Sequence, residues 1–436
     1  MDKTASPNSG FTGWLTRHPA AFTLIASAAA FGAYTCMYAF RKPFSAAVFS
    51  GLHLWGYDLK PLLAVAQMLG YALSKLLGIK VVSEASPAKR VGMIAVIIAA
   101  AALPLLLLPL VPPPLQLACL FMNGLPLGMV WGLVFSFLEG RRVTEFLGLG
   151  LSVSFIFASG WTKSVGSWLL SQKTLPVTEL WMPIATGALF VPLLALCLFV
   201  LSHLPPPDAK DVQERTERKP MDGRARLAFV RSFGPTVGVL TLCYLLLTVY
   251  RDLRDTYMAD VLKELGYNGN SSVFARIETF AGLGVLAALA GLWYIKDHWK
   301  AIKVYHWVIG FGTVMVGVST LAFSSGHLSP IWWLSWTGLG VYLAYVPFNS
   351  ILFDRLLAAT RSVGTSTFLI YVADSLGYLG SSALYLTRTF AKVKAGWVPL
   401  TLHTGELLAL ISPVLLFISW VGLRRRQKLQ ERQPAP

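Results

Sequence analysis

Residues 20–48 read AAFTLIASAAAFGAYTCMYAFRKPFSAAV. For some twenty residues this stretch is apolar enough for the roughly 20-residue helix that crosses a bilayer. It then carries Arg41-Lys42 into a further apolar run, Phe44 to Phe49. A charge inside a membrane span costs a few kcal/mol or more, so such a residue usually faces a wet cavity and marks a solute or ion path. Tyr34, Tyr38 and Arg41 are spaced i, i+4, i+7 and share a helix face. The stretch therefore predicts a membrane helix that exposes cations to something inside the protein.

The rest of the chain repeats the pattern. Of its 436 residues, 55% are hydrophobic and only 13% charged, with mean hydropathy +0.59. That excludes an ordinary soluble domain. Candidate spans fall at 20–48, 59–79, 91–111, 114–138, 146–170, 182–202, 232–258, 271–295, 303–323, 329–353, 362–386 and 401–423. The expected fold is an all-α integral membrane protein of twelve transmembrane helices in two six-helix, pseudo-symmetric bundles. The spans are too long, and too evenly apolar, for barrel strands of about ten alternating residues.

Lys and Arg between the spans lie mostly on the side of the two termini. The other side holds Lys60, Lys173, Lys263, Arg388, Lys392 and Lys394. This bias places both termini in the cytoplasm. The net charge of +16 follows from it and suits anionic lipid head groups rather than nucleic acid. One long hydrophilic interruption, opening Pro205-Pro206-Pro207, divides the chain into a bundle at 1–202, a cytoplasmic linker at 203–231 and a bundle with a basic tail at 232–436. Two such halves suit a repeat-built carrier with a midplane site. The expected setting is the inner membrane of a bacterium, as a monomer. Cys36, Cys119, Cys197 and Cys243 all fall in spans and read as packing residues, with no metal centre or cofactor.

Within the spans lie Arg41, Lys42, Lys75, Lys163, Arg251, Arg254 and Arg276 against Asp252, Asp255, Glu278 and Asp374. An excess of positive charge attracts anions and rejects cations. Arginine offers a planar fork to phosphate or carboxylate, and lysine adds a point charge. Arg41 and Arg251 sit at comparable depths in the opening spans of the two halves, and so are expected to clamp one anion. Tyr71 and Lys75 share a face of the second span with Gln67 and Ser74. Tyr371, Asp374 and Tyr378 share one in the eleventh, and Tyr342, Tyr345 and Asn349 one in the tenth.

Snorkelling to head groups is the alternative for Arg41 and Lys75 and the leading reading for Lys42; Lys163 is read as facing the cavity, and Arg254, nearer the outer end, as structural. Arg251 and Asp255 at i, i+4 are expected to pair. Arg276 and Glu278 are read as an internal gate pair, and Asp374 as a carboxylate that carries a proton or pairs with a site cation. The glycines of the fourth, fifth, eighth and eleventh spans are read as helix-packing positions.

At these residues the chain resembles the major facilitator superfamily, and within it the organophosphate:phosphate antiporters that carry glycerol phosphate and hexose phosphates. Ala33-Tyr34 through Phe44 is similar to that family's tyrosine-rich first helix, and Gly70-Tyr71-Ala72-Leu73-Ser74-Lys75 to its second. Asn123-Gly124 with Gly128-Met129-Val130-Trp131, Glu278 to Gly284, Val363-Gly364-Thr365-Ser366 and Gly377-Tyr378-Leu379-Gly380 resemble later segments. The resemblance implies that Arg41 and Arg251 hold a phosphate, that Lys75 and Lys163 add charge, and that Tyr38, with Tyr34 and Tyr71 nearby, lines the solute. Lys163 stands where those antiporters have histidine, Asp374 is additional, and Glu84 replaces the usual loop aspartate. An uncharacterised bacterial branch fits these departures.

The expected activity is therefore secondary active transport of an organic anion, by exchange with phosphate or coupled to protons. A transporter-like sensor that binds an anion and signals without flux is the competing reading, with the 203–231 segment and the basic tail as docking surfaces. No P-loop, H-E-x-x-H or G-x-S-x-G occurs, and the histidines scatter to span ends and loops, so neither an enzyme nor an ATP-driven pump is expected.

Overall fold

The computed structural model describes residues 10–83, 86, 89–138, 144–174, 176–205, 223–267, 270–360, 366–391 and 396–432. The greater part of the 203–231 segment, Glu84 and Val363-Gly364-Thr365 lie outside the described residues.

The chain is helical almost throughout. A short α1 (Gly10–Arg17) leads into α2 (Pro19–Ala39), which opens on a proline whose missing N–H costs nothing at a helix start. α2 stops at Ala39, before Arg41. Pro43 has no N–H to bond the carbonyl of Ala39, and the chain tightens into a 3₁₀ segment, Pro43–Ala46. The Arg41-Lys42 pair thus sits in a turn past the helix end, not on the helix as expected. A two-stranded hairpin, β1 (His53–Leu54) and β2 (Tyr57–Asp58), pairs His53 with Asp58 and leads into α3 (Leu59–Ser83).

Next come α4 (Arg90–Leu107), α5 (Pro113–Leu127), α6 (Val130–Phe135), α7 (Thr144–Ser171) and α8 (Met182–Ser202). The second half runs α9 (Gly223–Thr256), α10 (Met258–Glu264), α11 (Val273–Ala290), α12 (His298–Ser324), α13 (Pro330–Ser350), α14 (Leu352–Thr360), α15 (Ser366–Phe390) and α16 (Trp397–Arg432). The span expected at 114–138 carries Pro126, whose missing N–H removes one helix bond, and tightens into a turn at Gly128–Met129 before α6 resumes. The one at 329–353 breaks after Pro347 in the same way.

Among the described residues, eight helices are long and apolar enough to cross a membrane. Leu24, Val96, Phe199, Phe311, Leu410 and Phe417 point outward. Helices apolar on all sides are what lipid surroundings require. The protein is a multi-pass membrane protein.

Two buried clusters lie mainly within one half each, and a third draws on both: Leu59, Leu63 and Met68 with Leu253, Tyr257, Trp333 and Tyr385. Small residues let the halves approach. A Cβ on Gly160 of α7 would stand 2.6 Å from Cβ of Glu278 on α11. Gly291, by contrast, has open space around it and ends α11 rather than packing it.

Candidate functional site

The turn after α2 is held from two sides. Asn123 on α5 donates to the carbonyls of Phe40 (3.0 Å) and Ala101 (2.9 Å), and accepts from Gln67 on α3 (2.8 Å). Gln67 also donates to the Arg41 carbonyl (3.1 Å). A buried amide that satisfies every partner fixes the backbone it touches. Asn123 and Gln67 therefore aim Arg41, a role that reading the sequence did not assign them. The available signal was a lone asparagine in an otherwise apolar helix.

Arg41 points inward and is buried, which removes the snorkelling alternative. Its guanidinium carbon stacks 3.6 Å from the Tyr71 ring centre and lies 5.8 Å from that of Tyr38 and 5.9 Å from that of Tyr378. Among the described residues it pairs with no carboxylate, and its Nε has no hydrogen-bond partner. Tyr34 packs edge-on against Tyr38 at 5.3 Å. On α9, Arg251 stacks 4.1 Å over Tyr345 and lies 5.7 Å from the Tyr378 ring centre. The two arginines, one from each half, thus approach a single tyrosine ring on α15.

The carboxylates are distributed differently from the expectation. Arg251 pairs with its neighbour Asp252, through Nη2 at 2.6 Å and Nε at 3.2 Å, and not with Asp255. A long guanidinium arm can fold back where helix-face geometry says the two Cβ atoms diverge. Asp252 also accepts from Ser381 on α15 (2.9 Å). Asp255 instead takes Lys42, Lys163 (2.6 Å) and Ser159 (2.5 Å), all from the first half. Lys42 is accordingly buried rather than snorkelling.

The gate pair Arg276–Glu278 does not form. Arg276 is exposed on the outside of α11, while Glu278 accepts from Arg254 (2.8 Å), which also bonds the Leu334 carbonyl (2.7 Å). Two residues apart on a helix is close to half a turn, so Arg276 and Glu278 face different ways.

Further along α3, Lys75 pairs with Asp374 of α15, and Tyr371 flanks that lysine at 5.6 Å. Tyr244 donates to the other Asp374 oxygen, and the Tyr345 hydroxyl stands 2.7 Å from that of Tyr244. Asn349 donates to the Tyr244 hydroxyl (2.8 Å).

At the opposite end of α3, Lys60 is buried rather than in a head-group position. It pairs with Asp260 of α10 and donates to the Ala47 carbonyl (2.7 Å). Burial pushes the Asp260 carboxyl above its usual range, and Lys60 opposes that. Beside this pair opens a cavity of about 460 Å³, lined by residues 48–51, Lys263, Glu264 and Trp397 among others.

The cross-half ion pairs share one polarity. Lysines 42, 60, 75 and 163 belong to the first half, and Asp255, Asp260 and Asp374 to the second. Arg41, Arg251 and their tyrosines occupy the layer between the Lys75 pair and the Asp255 cluster. Among the described residues no group of His, Cys, Asp and Glu is placed to hold a metal ion. The four cysteines are buried and free.

The profile of DUF5690, a family of unknown function, matches residues 43–426. The chain belongs to DUF5690. No curated protein matches this DUF5690 chain. Solved structures do. The nucleoside transporter NupG superposes with TM-score 0.61 at 13% identity, over 92% of this chain and 98% of that one. A D-xylose–proton symporter gives 0.58 at 12%, over 91% and 96%. The human organic anion transporter MFSD10 (TETRAN) gives 0.57 at 14%, over 91% and 99%. Likeness at that identity shows the fold alone, which is the one these transporter structures share.

Proposed function

We propose that this DUF5690 protein is a secondary active transporter of an organic anion, a carboxylate or phosphate ester, that works by alternating access. The carrying observation is Arg41. Among the described residues it is a buried guanidinium without a carboxylate, stacked on tyrosine, opposite Arg251 across Tyr378. Removing one partner from a buried charge pair is costly, so a buried cation without a counter-ion favours an anion supplied from outside. Stacked tyrosines cover the faces of both guanidinium groups, and the N–H edge of Arg41 is left for the solute while Asp252 engages that of Arg251. The fold supports the transport reading, because the similar solved structures named above are transporters and not enzymes.

With cytoplasmic termini, the Lys60–Asp260 pair and the Asp255 cluster close the outer side of the site, and Lys75–Asp374 closes the inner side. Alternation then opens one set while the other holds. Lys163 and Lys42 belong to the outer closure, and Lys75, Asp374 and Tyr371 to the inner one. Tyr34, Tyr38 and Tyr71 line the anion.

The test is uptake into vesicles reconstituted with the purified protein, across a panel of organic anions. Arg41→Ala and Arg251→Ala should each weaken anion binding by roughly 10- to 150-fold, the worth of a charged hydrogen bond of about 1.5–3 kcal/mol. Uptake that survives both substitutions for every anion tested refutes the proposal. Tight binding with no flux turns it into a sensor.

A further inference from the structure

Tyr345 of α13 touches a site arginine with its ring and the Lys75 closure with its hydroxyl. Arg251 lies 4.1 Å over the ring centre, and Phe155, from the first half, packs edge-on against it at 5.8 Å. The hydroxyl stands 2.7 Å from that of Tyr244 and 3.4 Å from the Asp374 carboxylate. Asp374 is the partner of Lys75.

The arrangement has a local cause. Tyr244 and Arg251 are seven residues apart on α9 and share a helix face. The Tyr345 ring lies against both, stacked on Tyr244 with ring centres 4.9 Å apart.

We propose that Tyr345 is the positioning residue that ties the Lys75–Asp374 closure to the presence of an anion on Arg251. The inference rests on the anion-transport reading above.

Counting hydrogens gives the chain its direction. A phenolic hydroxyl has one hydrogen and two lone pairs. Tyr244 gives its hydrogen to Asp374, and so accepts from Asn349 (2.8 Å) and from Tyr345 (2.7 Å). A hydroxyl fed by two donors is itself a stronger donor. Asp374 thus meets Lys75 with one oxygen and the tyrosine chain with the other.

Arg41 and Arg251 both approach the Tyr378 ring, at 5.9 and 5.7 Å. An anion that touches both draws the Arg251 guanidinium toward Arg41 and off Tyr345. In a close-packed interior, a ring that loses the cation on its face resettles. Its hydroxyl then leaves that of Tyr244, and Asp374 is held less firmly against Lys75. Without an anion, Arg251 rests on Tyr345 and the closure holds. Coupling of this kind needs two sites that bias one element, and Tyr345 is in contact with both.

The experiment uses the full chain in detergent, with inorganic phosphate and succinate as probes. Calorimetry gives the affinity. Hydrogen exchange of α3 and α15 around Lys75 and Asp374, with and without saturating probe, reads the closure. In the wild type the anion should speed that exchange about fivefold or more, the lower end of ordinary coupling between sites. Tyr345→Phe keeps the ring under Arg251 and removes only the hydroxyl. It should bind with unchanged affinity and lose the anion-dependent change. In reconstituted vesicles its saturating uptake rate should fall about fivefold at unchanged KM, a split that a role in binding alone would not give. Tyr244→Phe cuts the chain at the next hydroxyl, leaves Tyr345 on Arg251, and should lose the change too. It keeps the inference refutable if Tyr345→Phe does not fold.

Anion-dependent exchange that persists in either variant overturns the role of Tyr345. So does its absence in a wild type that binds a probe, and the transporter reading survives both results. A wild type that binds neither probe overturns the inference together with that reading.

Discussion

Replacing Asp255 by asparagine isolates a carboxylate of the second half on which two buried lysines of the first half converge. The carboxylate is 6% exposed, and its partners Lys163 and Lys42 are 0% and 9% exposed. Solvent screening, which reduces surface pairs to about 0–1 kcal/mol, is therefore nearly absent. Taking one partner from a buried pair costs about 3–5 kcal/mol, because the remaining charge is left without compensation. Here two lysines remain, 42 and 163, facing each other across an uncharged amide.

Lys42, which lies past the end of α2 and whose charged form burial already disfavours, has one escape, which is to lose a proton. At pH 7.4 that costs about 4 kcal/mol for a group with an ordinary lysine pKa near 10.4, at 1.36 kcal/mol per unit. The ceiling is thus about the same by either route. The second route also predicts a pH dependence: the Asp255→Asn defect should shrink by about 1.4 kcal/mol for each unit the pH is raised.

Thermal unfolding of the purified protein, followed by intrinsic tryptophan fluorescence at pH 6.5, 7.5 and 8.5, reads this directly. Asp255→Asn should melt well below wild type, least so at pH 8.5. Asp255→Asn with Lys163→Gln should recover part of the loss, since one of the two stranded charges has gone. A variant that melts with wild type at all three pH values, or a double variant worse than the single one by the full cost of Lys163→Gln, would refute the reasoning.

Other outcomes follow from the same structure. Arg254→Met strands Glu278, and should lower stability by about 3–5 kcal/mol in a denaturation assay. Arg254→Met with Glu278→Gln should recover much of that, which marks the pair as structural. Asn123→Ala removes the donor to the Phe40 carbonyl and should cost about 1–3 kcal/mol. It should also weaken anion binding more than Gly160→Ala does, because it loosens the turn that carries Arg41. Gly160→Ala forces a Cβ into Glu278 at the contact of α7 with α11; by overpacking it should cost about 1–3 kcal/mol in thermal unfolding and slow transport without changing binding.

The membrane class was legible early, because hydropathy over some twenty residues acts locally and needs no partner. The inward location of Arg41 was one of two readings, snorkelling being the other, because its depth depended on where the first helix ends. The helix end at Ala39 could have been read from Pro43 and was missed by treating 20–48 as one helix. What resisted reading was pairing. Asp252 and Asp255 are three residues apart on one helix, with Arg251 and Arg254 between and beside them. Spacing along α9 ranked Asp255 as the partner of Arg251, yet Lys42 and Lys163, distant in sequence, claim that carboxylate. Glu278 went to Arg254 for the same reason, and Arg276 was left facing outward.

The sequence by itself thus determined that the chain is a helical membrane protein with buried cations, because apolar length and uncompensated charge are properties of short segments. Only the tertiary structure decided which acid neutralises which base, and hence that Arg41 is left without a carboxylate. A long side chain in a low-dielectric interior binds whichever opposite charge the packing brings within reach, and that depends on how α2, α3, α7, α9 and α15 meet.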